Sequence, residues 1–202
     1  MTSPTTATRF GEVVEASVQR LVAQCHQLYE SPALGTLVRA GDADGGQGAV
    51  YGVVSGVETS SLDPSRRAVA RGADAASEEE VYRQHPQLEQ LLRTDVTIAV
   101  LGHANGTSLT QYLPPLPPRV HTFIYICAAE EVRIFTERLE FRSLLTSMLT
   151  PTGDDVLAAV LRQASTAHER PNEFLVRAGR AVASLLGGDM PRLNAVLQRL
   201  PL

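Results

Sequence analysis

The 202-residue chain carries 18 basic residues, every one an arginine, against 22 acidic ones, for a formal charge of -4. Without lysine it can build neither a Walker A phosphate loop of the usual kind nor a Schiff-base nucleophile or pyridoxal-phosphate anchor. Its 44% hydrophobic and 20% charged residues suit one or two globular domains that bury a core without disulfides or metals.

Residues 1–6 lack the basic and apolar segments of a secretory signal, and no apolar run approaches a membrane span, so a cytoplasmic location is expected. The β-branched run Arg9-Phe10-Gly11-Glu12-Val13-Val14-Glu15-Ala16 predicts a first strand. The stretch 21–29, ended by Pro32, predicts a second, and Gly35-Thr36-Leu37-Val38-Arg39-Ala40 a third. Residues 41–48 are dense in Gly and Asp and read as a hairpin loop; Asp42 and Asp44 would repel a phosphate there. Ala49-Val50-Tyr51-Gly52-Val53-Val54-Ser55-Gly56-Val57 is a strong strand signal.

Residues 58–93 interrupt this pattern. A turn is expected over 61–67, and Ser77 followed by Glu80 has the spacing with which a helix satisfies its first free amides. Pro86 breaks that helix, and 87–93 resume it for a turn or two. Strand character returns over 94–102 and, after the proline-rich crossing Leu113-Pro114-Pro115-Leu116-Pro117-Pro118, over 120–126. Several short strands at close spacing predict a small closed or partly closed barrel over 8–127 with a helical insert near 77–93.

From about residue 128 the apolar period becomes helical. Val132, Phe135, Leu139, with Ile134, Phe141, Leu145 and Met148, predict one helix stopped by Pro151. Thr152 is expected to cap a second, with Val156, Leu157, Val160, Leu161 and Ala164 inward. Pro171 opens a third, faced by Phe174, Leu175, Ala178, Val182, Leu185 and Leu186 and ended by Gly187-Gly188. Asp189 caps a fourth, with Leu193, Val196, Leu197 and Leu200 inward. The expected class is α+β: an N-terminal barrel over 8–127, then a helical domain of about four helices over 128–202.

The segments Phe10-Gly11-Glu12-Val13-Val14, Gly35-Thr36-Leu37-Val38-Arg39 and Val50-Tyr51-Gly52-Val53-Val54-Ser55-Gly56-Val57 resemble the HAS barrel, shared by HerA-type translocases and ATP synthase α and β subunits. The segment Asp63-Pro64-Ser65-Arg66-Arg67-Ala68-Val69-Ala70-Arg71-Gly72 resembles stand-alone members of the cyanobacterial type, which lack the ATPase domain. The resemblance covers roughly residues 8–127 and implies oligomer contact and partner docking, as a collar beside a motor. This chain departs from the motors where they continue into a nucleotide-binding domain. The run 123–131 ends in acids as a Walker B strand does, but it has no phosphate loop upstream.

Arg66, Arg67 and Arg71 are the candidate partner-binding residues: three guanidiniums within six positions beside a proline turn can grip carboxylates or phosphates in bidentate fashion. Against this stands a solvated loop neutralised by Asp63 and Asp74. Residues 1–126 hold 9 arginines against 13 acids and residues 127–202 hold 9 against 9, so neither half has the positive face of a nucleic-acid binder. His26, His85, His103, His121 and His168 show no metal spacing, and Cys25 and Cys127 read as buried hydrophobes. Ser55 lacks the nucleophile-elbow glycine two residues before it, and the pairs Glu130-Glu131 and Asp154-Asp155 fall in first helical turns, where exposed amides favour acids. No catalytic, cofactor or metal residue is assigned. The expectation is a non-enzymatic protein-interaction or oligomerisation module, with the loops at 58–93 and 113–118 as docking surfaces. The alternatives are an accessory factor of a HerA-like or rotary ATPase and, with least support, an unrecognised enzyme.

Overall fold

The computed structural model describes residues 7–42, 48–106, 108–148 and 152–200. Among these lie seven strands, all paired antiparallel: β1 (Thr8–Ala16), β2 (Arg20–Cys25), β3 (Leu37–Ala40), β4 (Ala49–Ser61), β5 (Leu92–Asn105), β6 (Ser108–Thr110) and β7 (Phe123–Ile126). The sheet runs β2-β1-β7-β3-β4-β5-β6, and β2 pairs with β5 as well, so six strands return on themselves as a ring with β6 attached to β5. The first and last strands meet in it: Thr8 stands opposite Ile126 and Arg9 opposite Tyr125.

Alternation along each strand sends one set of side chains into the ring. Phe10, Val13, Leu21, Ala23, Cys25, Val38, Val54, Val96, Ile98, Val100 and Ile124 form that interior cluster. The opposite faces of β3, β4 and β5 are also apolar: Leu37, Tyr51, Val53, Ala99 and Leu101 pack outward against the C-terminal helices in a second cluster. Burial on both faces explains why 49–54 and 96–101 read as near-continuous apolar runs. Bending the ring requires bulges, which fall between Tyr51 and Gly52 and between Val54 and Gly56. At the first, a Cβ on Gly52 would lie 2.5 Å from the Ala99 carbonyl oxygen, so only glycine lets β4 and β5 approach.

The helices are α1 (Glu78–Gln84), α2 (Leu88–Leu91), α3 (Ala129–Thr136), α4 (Arg142–Met148), α5 (Gly153–Ser165), α6 (Pro171–Leu186) and α7 (Met190–Leu197). The inward stripes expected for α5, α6 and α7 are buried, apart from Leu185 and Leu197, which are partly so. Gly35 seats α5 on the ring: its φ is +82°, and a Cβ there would lie 2.5 Å from the backbone at Ala159 and Val160.

Among the described residues five helices follow the ring, where about four are expected, because the single helix expected over 128–151 is broken. Leu139 takes φ +56° between α3 and α4. The Gln111 side chain fills the gap: its Nε2 donates to the Phe135 carbonyl, and its Oε1 accepts from the amides of Glu140 (2.7 Å) and Phe141 (3.1 Å). Free amides and carbonyls at both helix ends are thus satisfied from a distant loop. Ile134, expected on the inward face, is 53% exposed. Thr152 makes no side-chain cap bond. Strand two ends at Cys25, short of Tyr29, whose φ of +67° leaves the extended region. The third strand starts at Leu37 and the last at Phe123, both later than expected, while β4 and β5 run longer and β6 was not anticipated. Ser77 and Asp189 accept from the amides of Glu80 and Arg192, as their spacing predicts. The Pro151 stop and most of the 41–48 hairpin loop lie outside the described residues.

Candidate docking surface

β4 and β5 form a ribbon of 13 and 14 residues, about 40 Å long at the usual rise. The insert leaves and re-enters at one end of it, where Ser61 faces Leu92 and the Leu62 amide donates to the Leu91 carbonyl (2.8 Å). The proline-rich crossing lies at the other end: Pro114 to Pro118 line a groove with Ala49, His103 and Asn105. The two loop surfaces are therefore separate, and one small partner cannot touch both.

The arginine loop begins with a turn that its own side chains define. Asp63 Oδ1 accepts from the Ser65 amide (2.9 Å) and hydroxyl (2.7 Å), which hold its carboxyl below the usual range. Arg66 lies 3.4 Å from Asp63 with its side chain 84% exposed. Arg67 and Arg71 are exposed and join no ion pair among the described residues, and Asp74 pairs with neither. The loop packs back on α1, where a Cβ on Gly72 would meet Val81 at 3.0 Å. α1 itself is tied to the ring through the Tyr82 and Tyr29 hydroxyls, which contact one another.

Beside this loop the outer face of the sheet is acidic. Register places Glu58 opposite Asp95, Asp95 opposite Gln24 and Gln24 opposite Glu12, one row across four strands. Asp95 contacts Arg93 Nε at 3.0 Å through Oδ2, and its buried Oδ1 has no partner. Burial raises its carboxyl above the ordinary value and Arg93 opposes this, while Glu58 and Glu15 add to the rise. Like charges directly opposite one another, as at Glu58 and Asp95, destabilise an isolated sheet.

Two further polar clusters escaped sequence reasoning. Glu131, expected only to serve the first turn of α3, accepts the Ala128 amide (3.0 Å), and it also reaches Arg39 Nε at 2.9 Å and lies 3.4 Å from the Tyr51 hydroxyl. Arg39 in turn lies over the Tyr125 ring at 4.6 Å, so a half-buried ion pair and an aromatic face join β3 to α3. Its partners are 92 positions apart in sequence, and no linear signal links them. Burial, followed by Glu131, pushes the Tyr51 phenol up, and burial does the same to the Cys127 thiol. The second cluster lines a groove with Arg133, His168, Arg170, Glu173, Phe174 and Arg177. Thr136 donates to the Val132 carbonyl (2.7 Å), so its oxygen accepts from His168 Nε2 (2.9 Å), and the imidazole stacks on Phe174 at 4.0 Å.

Cys25 is buried and His26 exposed, so these neighbours face opposite sides and are not placed to share one ion. Among the described residues no three His, Cys, Asp or Glu side chains gather as a metal site would need, and no helix is long and apolar enough to cross a membrane. Ser55 sits at the bulge between Val54 and Gly56, its hydroxyl on the Thr97 carbonyl at 3.2 Å. No protein-family model matches the chain, and no curated protein matches it.

Proposed function

We propose that the chain is a protein-contact module of the cytoplasm, without catalysis of its own, built on a HAS-like barrel whose insert carries the docking residues Arg66, Arg67 and Arg71. The ring order of six antiparallel strands with glycine-marked bulges supports the barrel reading. The observation that carries the docking role is that Arg67 and Arg71 are exposed without an acid of their own among the described residues, on a loop held at the end of a long ribbon. Guanidiniums so presented are available to carboxylates on another surface, and the paired strands behind them fix where they stand.

The test is affinity capture with the full chain and with Arg66→Glu plus Arg67→Glu. The reading expects specifically retained proteins to be lost from the double variant while its thermal unfolding stays unchanged. Equal retention by both chains would refute it.

A further inference from the structure

The ribbon leaves one strand edge unused. Leu62 and Leu91 form a hydrogen-bonded pair, so the antiparallel alternation directs the amides and carbonyls of Ser60 and Glu58 toward β5 and those of Val57, Thr59 and Ser61 away from it. β3 lies on that outward side only as far as Val53, and the two residues before it, Gly35 and Thr36, exchange bonds with Val54. None of the hydrogen bonds among the described residues uses the outward groups of Val57, Thr59 or Ser61. Val57, Glu58 and Thr59 are exposed on both faces of the ribbon, and residues 55–61 contain no proline or lysine to block an added strand.

Charge decides what fits there. Glu58 and Asp95, with Glu15 near them, make the middle of this edge negative. Beyond its C-terminal end, at Ser61, come Arg66 and Arg67. An acidic peptide would meet Glu58 and a basic one would meet the arginines. A strand with its own acids in the middle and its own arginines past the end satisfies both when it lies antiparallel, and this chain's β4 is such a strand.

We infer that the partner of this surface is a second copy of the chain, the two β4 edges pairing antiparallel over residues 57–61 about a two-fold axis at Thr59. Val57 of each copy then bonds Ser61 of the other, and Thr59 bonds its own equivalent. Glu58 faces Ser60 across the axis, so the two Glu58 side chains avoid one another. The turn at 63–66 brings Arg66 and Arg67 of one copy back toward Glu58 of the other, an acid that joins no ion pair among the described residues. This rests on the proposed role of the arginine loop and names what that loop grips.

Light scattering and sedimentation of the full chain from about 1 to 200 μM test it, since a short strand edge with a few ion pairs gives a concentration-dependent dimer. The expected species is twice the 21.8 kDa chain mass. Thr59→Pro removes an outward amide that bonds nothing among the described residues, but it also removes the hydroxyl that contacts buried Thr94 at 3.0 Å, so Thr59→Ala is its control: both should lose the same stability, Thr59→Ala should keep the dimer and Thr59→Pro should abolish it. Glu58→Arg, and separately Arg66→Glu with Arg67→Glu, should each weaken dimerisation about tenfold at low salt, and a chain carrying all three changes should regain it. A chain monomeric throughout this range would overturn the inference while leaving capture of another protein by the arginine loop open to its own test. A dimer indifferent to Thr59→Pro, or no recovery in the triple variant, would overturn it as well.

Discussion

Replacing Phe135 by alanine probes the seam between the ring and the helices. Phe135 is fully buried; its ring stacks on Tyr51 of β4 at 5.6 Å and meets Phe141 at 5.5 Å, and its Cε2 would lie 3.3 Å from a Cβ on Gly102. Truncating a buried phenylalanine costs about 3–5 kcal/mol, the upper part applying where neighbours cannot collapse into the space. Here the neighbours are β4, β5 and the Gln111-bridged start of α4, all fixed by backbone hydrogen bonds, so a loss near 4 kcal/mol is expected. Against a typical total of about 5–15 kcal/mol that is a large fraction, and for a chain of this size it corresponds to roughly 8–16 °C in Tm. With no tryptophan present, near-ultraviolet dichroism reports the tyrosines, Tyr51 among them, and far-ultraviolet dichroism reports the helices. Because one apolar cluster runs from Leu37 and Leu101 to Leu193, both signals should fall together and shift together in the variant. A loss below about 1 kcal/mol, or a helical transition that moves while the tyrosine signal stays, would refute a shared core.

Three other outcomes follow from the same packing. Gly35→Ala forces a Cβ into left-handed backbone and into α5 at Ala159, so chemical denaturation should show a loss of about 2–4 kcal/mol; a wild-type midpoint would contradict the close approach. Burial, then Arg177 and Arg133, lower the His168 pKa from its model-compound value of 6.5. A depressed imidazole binds its proton more readily when unfolded, so this residue's contribution to stability is intact above about 6.5 and falls as pH drops below it. Thermal melts of His168→Gln between pH 7.5 and 5.5 should therefore lose less than wild type. Burial, with Asp95 adding, pushes the Cys25 thiol up to about 11, and Cys127 is raised too, so a disulfide reagent at pH 8 should label neither until denaturant is added. Fast labelling of the native chain would count against their burial.

Legibility followed the range of the interactions. The caps at Ser77 and Asp189, the stop at Pro86, the opening at Pro171 and the stripes of α5 to α7 depend on residues within a turn or two, and each was readable in line. The doubly apolar runs of β4 and β5 were visible for a tertiary reason, burial on both faces, that composition happens to record. The break at Leu139 was invisible because its cause is Gln111, 28 positions upstream, whose amide replaces the bonds a continuous helix would have made. The arginine loop was legible as a cluster, and the unpaired strand edge beside it was not, since an edge is defined by which strand fails to arrive. Glu58 and Asp95 likewise look unremarkable 37 positions apart and become an electrostatic conflict only once their register is known.

Pairing between the first and last strands has a consequence for the birth of the molecule. Thr8 and Arg9 find Ile126 and Tyr125 only after nearly two-thirds of the chain has been made, and synthesis proceeds at about 5–20 residues per second. Until β7 emerges from the ribosome, β1 and β3 each have a vacant side, and the sheet is an open ribbon with apolar residues on its concave face. Such distant partners make for slow closure and for a nascent chain that attracts chaperones or its own neighbours on the polysome. The helices that follow in the chain pack on the outward apolar faces of β3, β4 and β5, so closing the ring and docking the helices draw on opposite faces of the same strands.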